Sequence, residues 1–257
     1  MSAHNRRPPS GKPKRDGGRP AGDTTLIYGA HAVREALTAG KRKLAALYAT
    51  ANAIARIEDA AKAAGLKPQF VEARELSRRL GEEAVHQGLL LEAGPLPERD
   101  LSDVAATGGL ILLLDQITDP HNVGAILRTA AAFAVEAIVV TERHSPQVSG
   151  VLAKAASGGL EHVEIVSVVN LARAMEELSR HGYTILGLDS EGPDTLETVP
   201  LQAPVALALG AEGKGLRRLT RERCASVARL DTPGAIKSLN VSNACAVALS
   251  VLRRRLG

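Results

Sequence analysis

Three short segments of the chain carry residues that could do chemistry. They cover positions 115–124, 209–216 and 236–244, and the first leads into a helix-like stretch that contains Arg128. The first two segments lie at the ends of apolar runs predicted to be buried strands, and ligands of open α/β sheets bind at the carboxyl ends of strands. The third segment opens a predicted helix, where the first backbone N–H groups have no partner within the helix. We therefore expect the segments to form a ligand site.

Each polar residue of these segments also has a plain structural interpretation. Asn122 is most simply a helix N-cap, and Glu212 a first-turn acid near a helix start. Ser238 and Asn240 could cap the last helix as a pair. Arg128 has apolar or small neighbours, which predicts a partly buried side chain. The glycines of the second segment indicate backbone that approaches a ligand closely.

Several common kinds of site are disfavoured because their motifs are missing. No G-x-G-x-x-G follows a predicted strand, which argues against an ordinary nucleotide-binding oxidoreductase. The sequence contains neither a Walker-type phosphate loop nor a G-x-S-x-G nucleophile motif. The seven His and two Cys show no metal-ligand spacing, so we expect no metal.

The composition of the sequence limits the class of protein and the cellular compartment that we expect. Two cysteines in 257 residues exclude a disulfide framework, and no apolar run approaches the length of a membrane span. No signal peptide is visible, so we expect a cytoplasmic protein with no membrane partner. With two Phe, three Tyr and no Trp, any RNA binding must rely on charge, shape and hydrogen bonds rather than base stacking.

The charge is concentrated at the start of the chain. Residues 1–23 hold six Lys and Arg against two Asp, which equals the formal net charge of +4 of the whole chain. Together with their prolines and glycines, these residues predict a disordered basic tail. Such a tail either contacts RNA phosphates or merely improves solubility.

Alternating apolar runs and helical stretches predict an α/β fold in two parts. A small α/β module covers 24–93, a linker covers 94–107, and a mainly parallel sheet with helices on both faces covers 108–257. Predicted helices include 51–64, 122–133 and 147–156. The final helix has an apolar face that could pack on the core or on a second subunit, formed by Val241, Ala244, Ala248 and Val251.

Taken together, the three segments resemble the motifs of the SpoU-type, or TrmH-like, ribose 2′-O-methyltransferases of the SPOUT superfamily. The matching residues are Asn122, Gly124, Arg128 and Ala130 in the first motif, Gly210, Glu212 and Gly215 in the second, and Ser238 to Ala244 in the third. The resemblance covers about residues 108–257. The stretch 29–33 resembles the start of the ribosomal-protein-like substrate-binding domain of the subgroup that methylates a guanosine in 23S rRNA.

The resemblance implies a fold, a cofactor and an assembly. The sheet would end in a deep trefoil knot that holds S-adenosylmethionine, with Gly210, Leu230 and Leu239 in contact with the cofactor. Similar proteins are homodimers whose active site draws on both chains. The sequence departs from the family at Asp231 and Thr232, where many members have Pro-Met.

The implied reaction is the in-line displacement of a methyl group from sulfonium by a ribose 2′-oxygen. Arg128 would stabilise the charge that develops on this oxygen, because a guanidinium stays protonated and is a poor general base. Asn122 and Asn240 would orient the ribose or Arg128, Glu212 would hold Arg128 or its own loop, and Ser238 would bind near the cofactor or a phosphate. The general base stays unassigned.

Two other interpretations of the resemblance stay open. One is a ribose methyltransferase that acts on tRNA or on another rRNA nucleotide. The other is a non-catalytic RNA-binding or ribosome-assembly factor, which the joint presence of the motif residues argues against. The basic stretch 214–223 either contacts RNA phosphates beside the site or is an ordinary solvated face.

Overall fold

The protein, as seen in a computed structural model, contains two sheets, and the structure describes residues 24–143, 156, 158–236 and 238–257. The first sheet has four strands in the order β1-β4-β2-β3. Its elements are β1 (Thr25–Tyr28), α1 (Ala30–Ala39), β2 (Leu44–Ala49), a 3-10 turn (Ile54–Arg56), α2 (Glu58–Ala63), β3 (Pro68–Phe70), α3 (Ala73–Leu80) and β4 (Leu89–Ala93).

The second sheet has seven strands in the order β7-β6-β5-β10-β8-β11-β9, all paired in parallel. Its elements are α4 (Leu101–Ala105), β5 (Ile111–Asp115), α5 (Pro120–Ala132), β6 (Ala137–Thr141), a 3-10 turn (Gly159–Glu161), β7 (Glu164–Val168), α6 (Leu171–Arg180), β8 (Thr184–Leu188), β9 (Asp194–Thr195), β10 (Val205–Gly210), α7 (Arg218–Glu222), β11 (Ser226–Arg229) and α8 (Val241–Leu256). The predicted mainly parallel sheet is confirmed.

Helices cover both faces of the larger sheet, as its nearly continuous apolar strands require. On one face α5 packs against α8, and on the other α4 packs against α6. The buried face of α8 includes Val241, Cys245, Ala248, Leu249, Val251 and Leu252. The apolar face predicted on the final helix is therefore mainly a core face, with Ala244 only partly buried.

The strand order changes direction between β5 and β10. From β5 the chain proceeds outward to β6 and β7, whereas β10, β8 and β11 lie on the other side. The carboxyl ends of adjacent parallel strands separate at such a switch point and leave a crevice for a ligand. At this switch, Asp115 at the end of β5 is paired in register with Gly210 at the end of β10.

A buried ion pair joins the two sheets. Arg42, just before β2, donates through Nε to Glu161 Oε1 at 2.8 Å, and the two side chains are 2% and 3% exposed. Arg42 also donates to the Gly94 carbonyl at 3.1 Å. Because breaking a buried pair leaves an uncompensated charge, this contact holds the small sheet in a defined position on the large one.

The structure differs from the sequence prediction at several elements. The predicted helix 51–64 is reduced to a 3-10 turn and the six-residue α2. The predicted linker 94–107 contains α4, because Leu101 and Val104 are buried against the large sheet. The predicted helix 147–156 lies outside the described residues, apart from Ala156.

Candidate active site

The three motifs meet at the side chain of Asn240. Its Nδ2 donates to Asn122 Oδ1 at 3.1 Å and to Glu212 Oε2 at 3.3 Å. Its Oδ1 accepts from the Ser242 backbone N–H at 2.9 Å and from the Ser242 hydroxyl at 2.6 Å. Residues far apart in the chain are thus joined in one hydrogen-bonded cluster.

Asn240 is fixed by this arrangement. A carboxamide has two donors and an acceptor oxygen with two lone pairs, and the four contacts use all of them. The contact with the Ser242 N–H also makes Asn240 the N-cap of α8. Since Asn240 has no capacity left for a ligand, the groups available for binding in this cluster belong to Asn122 and Glu212.

Asn122 is not the N-cap of α5, contrary to the simplest sequence interpretation. The cap is Asp119, whose side chain accepts from the His121 N–H at 2.9 Å, and Pro120 occupies the first helical position. Proline is well suited to that position because its missing N–H would have no helical partner. Capping therefore does not occupy the Asn122 side chain, which instead reaches Asn240.

A cavity of about 290 Å³ lies at the carboxyl ends of β8, β10 and β11, and we call it the β8–β10 cavity. Five of the predicted site residues line it: Gly210, Glu212, Leu230, Ser238 and Leu239. Leu239 is 41% exposed, so this apolar side chain is available to cover a ligand. The departure at Asp231-Thr232 does not remove the loop from the cavity, because Thr232 also lines it.

The second-motif turn folds closely onto itself beside this cavity. A Cβ at Gly210 would lie 2.1 Å from the Gly215 carbonyl carbon, which is an impossible distance. Ala211 and Gly215 form an isolated antiparallel bridge, and Gly215 has φ +63°. Glu212 is thereby held at the tip of a tight turn rather than in the first turn of a helix, since α7 begins only at Arg218.

A second cavity, of about 440 Å³, opens at the switch point, and we call it the β5–β10 cavity. Asn122, Ala211, Glu212 and Val241 line it, and three of these also border or line the first cavity: Ala211, Glu212 and Val241. Gln116, another lining residue, has φ +60°, a conformation that a side chain with a Cβ rarely adopts. The polar cluster therefore stands between two adjacent cavities.

Arg128 lies apart from the cluster. Its side chain is exposed, so the predicted partial burial is wrong, and it lines neither cavity. Six residues along an α-helix correspond to about 9 Å of rise and roughly 120° of rotation away from Asn122. Arg128 and Asn122 consequently project from different faces of α5.

The arginines in the basic stretch 214–223 are all paired with carboxylates. The pairs are Arg217–Asp115 at 2.6 Å, Arg218–Glu222 at 2.7 Å, Arg221–Asp189 at 2.7 Å and Arg223–Glu176 at 2.5 Å. Within the described part of the chain, the one basic residue of this stretch without a carboxylate partner is Lys214, which lines the β5–β10 cavity. Most of this charge therefore holds α7 in place.

Two carboxylates at the carboxyl edge of the sheet were not among the predicted site residues. Asp115 is buried at the end of β5 and accepts from the Arg217 N–H at 2.9 Å as well as from its Nε. Asp189, just after β8, lines the β8–β10 cavity and accepts from Arg221 Nη1. Their position at the carboxyl ends of predicted strands was the available signal.

Cysteine chemistry is unavailable at this site. Burial raises the pKa of the Cys224 thiol and of the Cys245 thiol to about 12 in each case. Both thiols are therefore protonated near neutral pH, and the thiolate is the nucleophilic form.

Among the described residues, no group of three or more His, Cys, Asp or Glu could hold a metal ion. No helix in that part of the chain is long and apolar enough to cross a bilayer.

Comparison with known proteins agrees with the arrangement of the motifs. Residues 109–250 match the SpoU rRNA Methylase family, and residues 26–99 match the domain described as RNA 2′-O ribose methyltransferase substrate binding. The 23S rRNA (guanosine-2′-O-)-methyltransferase RlmB of Haemophilus influenzae is 36% identical, over 90% of this chain and 98% of the relative. The RlmB of Pseudomonas aeruginosa is 42% identical over 67% of this chain and 73% of its own length.

A solved structure has the same fold. The SpoU methyltransferase AviRb from Streptomyces viridochromogenes, in complex with the cofactor AdoMet, aligns with a TM-score of 0.77 over 91% of both chains at 19% identity. The family match covers more than half of this chain and includes all three motifs. With residues from all three motifs gathered at one edge of the sheet, this chain belongs to the SpoU rRNA methylase family.

Proposed function

We propose that this protein uses S-adenosylmethionine to methylate the ribose 2′-oxygen of a guanosine in 23S rRNA. The observation that carries the proposal is the cluster of Asn122, Asn240 and Glu212, which stands between two adjacent cavities. Methyl transfer requires a donor and an acceptor placed side by side, and alignment of the two supplies much of the rate. The RlmB relatives support the choice of substrate.

The β8–β10 cavity would hold the cofactor, which supplies the methyl group when bound. Its residues fit such a ligand, because the second-motif turn presents backbone atoms where Gly210 has no side chain. Leu230 and Leu239 provide apolar surface for the adenine, and the backbone provides polar contacts. Ser238, at the mouth of the same cavity, would donate to the cofactor or to a nearby phosphate.

The β5–β10 cavity would receive the acceptor nucleotide. Asn240 has no free capacity, so it acts as the fixed support of the cluster. Among the described residues, Asn122 has an amide donor without a partner and Glu212 a carboxylate oxygen without a partner, and both residues line this cavity. These two groups would hold the ribose hydroxyls, and Lys214 would contact a phosphate of the same nucleotide.

Arg128 would act from the partner subunit of a homodimer. On its own chain it projects from a different face of α5 than Asn122 and lines neither cavity. A guanidinium that stabilises charge on the 2′-oxygen has to lie beside the acceptor, and a two-fold dimer could bring it there from the second copy.

Mixing two inactive variants tests this arrangement. Arg128→Ala keeps an intact cluster, and Asn240→Asp keeps the arginine, so a heterodimer would contain one complete site. Random pairing makes half of the dimers heterodimers, and we expect about a quarter of wild-type activity to return. No recovery in a sample shown to contain heterodimers would place Arg128 in its own chain's site.

The remaining finer predictions belong to the same proposal. We include the trefoil knot around the cofactor, a cytoplasmic location, and the domain boundaries 1–23, 24–93, 94–107 and 108–257. The ranges of the two family matches support the boundaries. The hydrogen bond from the third-motif Asn240 to Glu212, just after β10, supports the knot.

The direct test uses purified protein, labelled S-adenosylmethionine and unmodified 23S rRNA. We expect incorporation of one 2′-O-methyl group at a guanosine, mapped by mass spectrometry of nuclease fragments, and none into tRNA. Methylation of tRNA instead would favour the tRNA alternative. Cofactor binding without transfer to any RNA would favour a non-catalytic RNA-binding factor.

A further inference from the structure

A third cavity lies at the carboxyl ends of β6 and β7, separate from the two at the switch point. It measures about 430 Å³, and we call it the β6–β7 cavity. Its walls come from the ends of β6 and β7 and from the starts of α6 and α7. The lining residues used below are Thr141, Arg143, Leu171, Ala172, Arg217 and Arg218.

Thr141 gives the cavity a polar group that needs a ligand. The residue is 6% exposed, and its Oγ1 has no hydrogen-bond partner among the described residues. Leaving a buried hydroxyl unpaired is unfavourable, so such groups usually meet a partner in the functional state. The hydroxyl oxygen has almost no exposed surface, so it would reach a ligand in the cavity that Thr141 lines after a small movement of the wall.

The N-terminus of α6 opens into the same cavity. Asn170 is its N-cap, and the side chain accepts from the Arg173 N–H at 3.1 Å. The N–H groups of Leu171 and Ala172 come earlier in the first turn and have no partner in the described part of the chain. These N–H groups and the positive end of the helix dipole favour an anion.

Arginines complete the positive lining. Arg143 is exposed and forms no ion pair with a described carboxylate. Arg217 uses its Nε and backbone N–H on Asp115, which leaves its terminal amino groups for another acceptor. Arg218 is already paired with Glu222, but both side chains are more than half exposed, so this pair is weak.

We propose that the β6–β7 cavity binds a backbone phosphate of the RNA, next to the nucleotide that is methylated. A phosphate oxygen is the acceptor that a hydroxyl, two backbone N–H groups and guanidinium groups recognise together. The proposal rests on the proposed function. It adds an anchoring site on the side of β5 opposite to the cofactor.

The location suits a neighbouring phosphate. β6 is two strands from β10, which corresponds to about 10 Å along the carboxyl edge of the sheet. Arg217 links the two sites physically, because it lines the β6–β7 cavity while holding Asp115, whose neighbour Gln116 lines the β5–β10 cavity. An RNA strand could therefore follow this edge from the acceptor cavity to the anchor.

The test is the KM for methylation of 23S rRNA. Thr141→Val removes the hydroxyl with no change in charge or shape, so we expect about a tenfold higher KM with kcat within about twofold. The melting temperature should stay the same or rise, because an unpaired buried hydroxyl is removed. Thr141→Ser, which keeps the hydroxyl, should retain the wild-type KM even if it lowers the melting temperature.

The variant Arg143→Ala tests separately whether positive charge at the β6–β7 cavity contributes to RNA binding. We expect a higher KM and a decrease of about one in the slope of log KM against log salt concentration. The matched controls are Thr184→Val, at the amino end of β8, and Arg180→Ala, at the far end of α6, and neither should change the KM. A wild-type KM for Thr141→Val, or an equal increase for Thr184→Val, would overturn the phosphate site. Failure of the wild-type protein to methylate 23S rRNA would instead overturn the proposed function.

Discussion

The arginines in and beside α7 and the single arginine of α5 differ in their partners. Arg217, Arg218, Arg221 and Arg223 all have carboxylate partners within the chain. Arg128 is exposed and has no carboxylate partner among the described residues. The denser group of positive charges is therefore largely matched within the chain, and of its arginines Arg217 and Arg218 also line the β6–β7 cavity.

This contrast shows that the number of basic residues in a stretch does not identify an RNA contact. An arginine whose guanidinium already donates to a buried carboxylate has less to offer a phosphate, and moving it would expose an unpaired charge. An isolated arginine without a partner is free to act on a ligand. The following predictions test whether paired arginines stabilise the fold and the unpaired one serves the reaction.

The largest effect is expected for Arg128→Ala. Loss of a group that stabilises developing oxyanion charge typically lowers the rate by about a hundredfold to a thousandfold. Cofactor binding and the melting temperature should stay at wild-type values, because Arg128 lines neither cavity. Single-turnover methylation of 23S rRNA and calorimetric titration of S-adenosylmethionine measure the two quantities.

Arg128→Lys is the companion variant. It keeps the charge but loses the planar guanidinium, and we expect little recovery of the rate. Strong rescue by lysine that increases from about pH 6 to 10 would contradict the electrostatic role, since a lysine can lose its proton in that range and act as a base.

The next largest effect is expected for variants of Asn240, which supports the polar cluster. Asn240→Asp keeps an oxygen for the α8 cap, removes the donor to Asn122 and adds a negative charge beside Glu212. We expect about a hundredfold lower kcat, because small displacements of orienting groups have effects of this size. Asn240→Ser, which keeps a cap without the charge, should be similarly inactive, and a nearly active Asn240→Ser would remove the cluster from the mechanism.

Paired arginines are tested through Asp115→Asn. The side chain of Asp115 is fully buried and accepts two hydrogen bonds from Arg217, so loss of one acceptor should lower the free energy of unfolding by about 1–3 kcal/mol. Urea denaturation should show a lower midpoint with an unchanged m-value. An unchanged midpoint would mean that this pair contributes nothing to stability.

The smallest effect is expected for Arg223→Ala. Both members of the Arg223–Glu176 pair are nearly half exposed, and such pairs contribute about 0.5 kcal/mol or less. The KM for 23S rRNA should also stay unchanged, since Arg223 lines none of the three cavities. A clear rise in the KM would show that a paired arginine outside all three cavities still serves the RNA and would weaken the contrast.

Much of the large sheet could be predicted from the sequence, because short apolar runs between helical stretches leave few arrangements. The sequence pattern predicts a strand over 137–141 and helices over 171–180 and 241–256, and these are the bounds of β6, α6 and α8. The family that the motifs indicate is confirmed by the family match. The helix α4 was missed because its burial depends on distant partners in the large sheet. Local composition, with two prolines and several charges, favoured a linker.

The sequence singled out the residues that the structure brings together in the polar cluster, but it did not predict their contacts. The pair Asn122–Asn240 joins positions separated by most of the large sheet, and a single sequence contains no distance between them. The N-cap of α5 was assigned to Asn122, although Asp119 followed by Pro120 is the better local signal. The exposure of Arg128 depends on how α5 is rotated, which only packing decides.

The order of the strands has a consequence for biosynthesis. The small sheet is complete once β4 has left the ribosome, whereas the central strand β10 pairs with β5 only after the intervening strands β6, β7, β8 and β9 have been made. Pairing between strands so distant in sequence is slow to form. Asn240 emerges later still, after β10 and β11. A nascent chain can thus fold its substrate-binding portion early, yet it gains the geometry for methyl transfer only after the third motif has been synthesised.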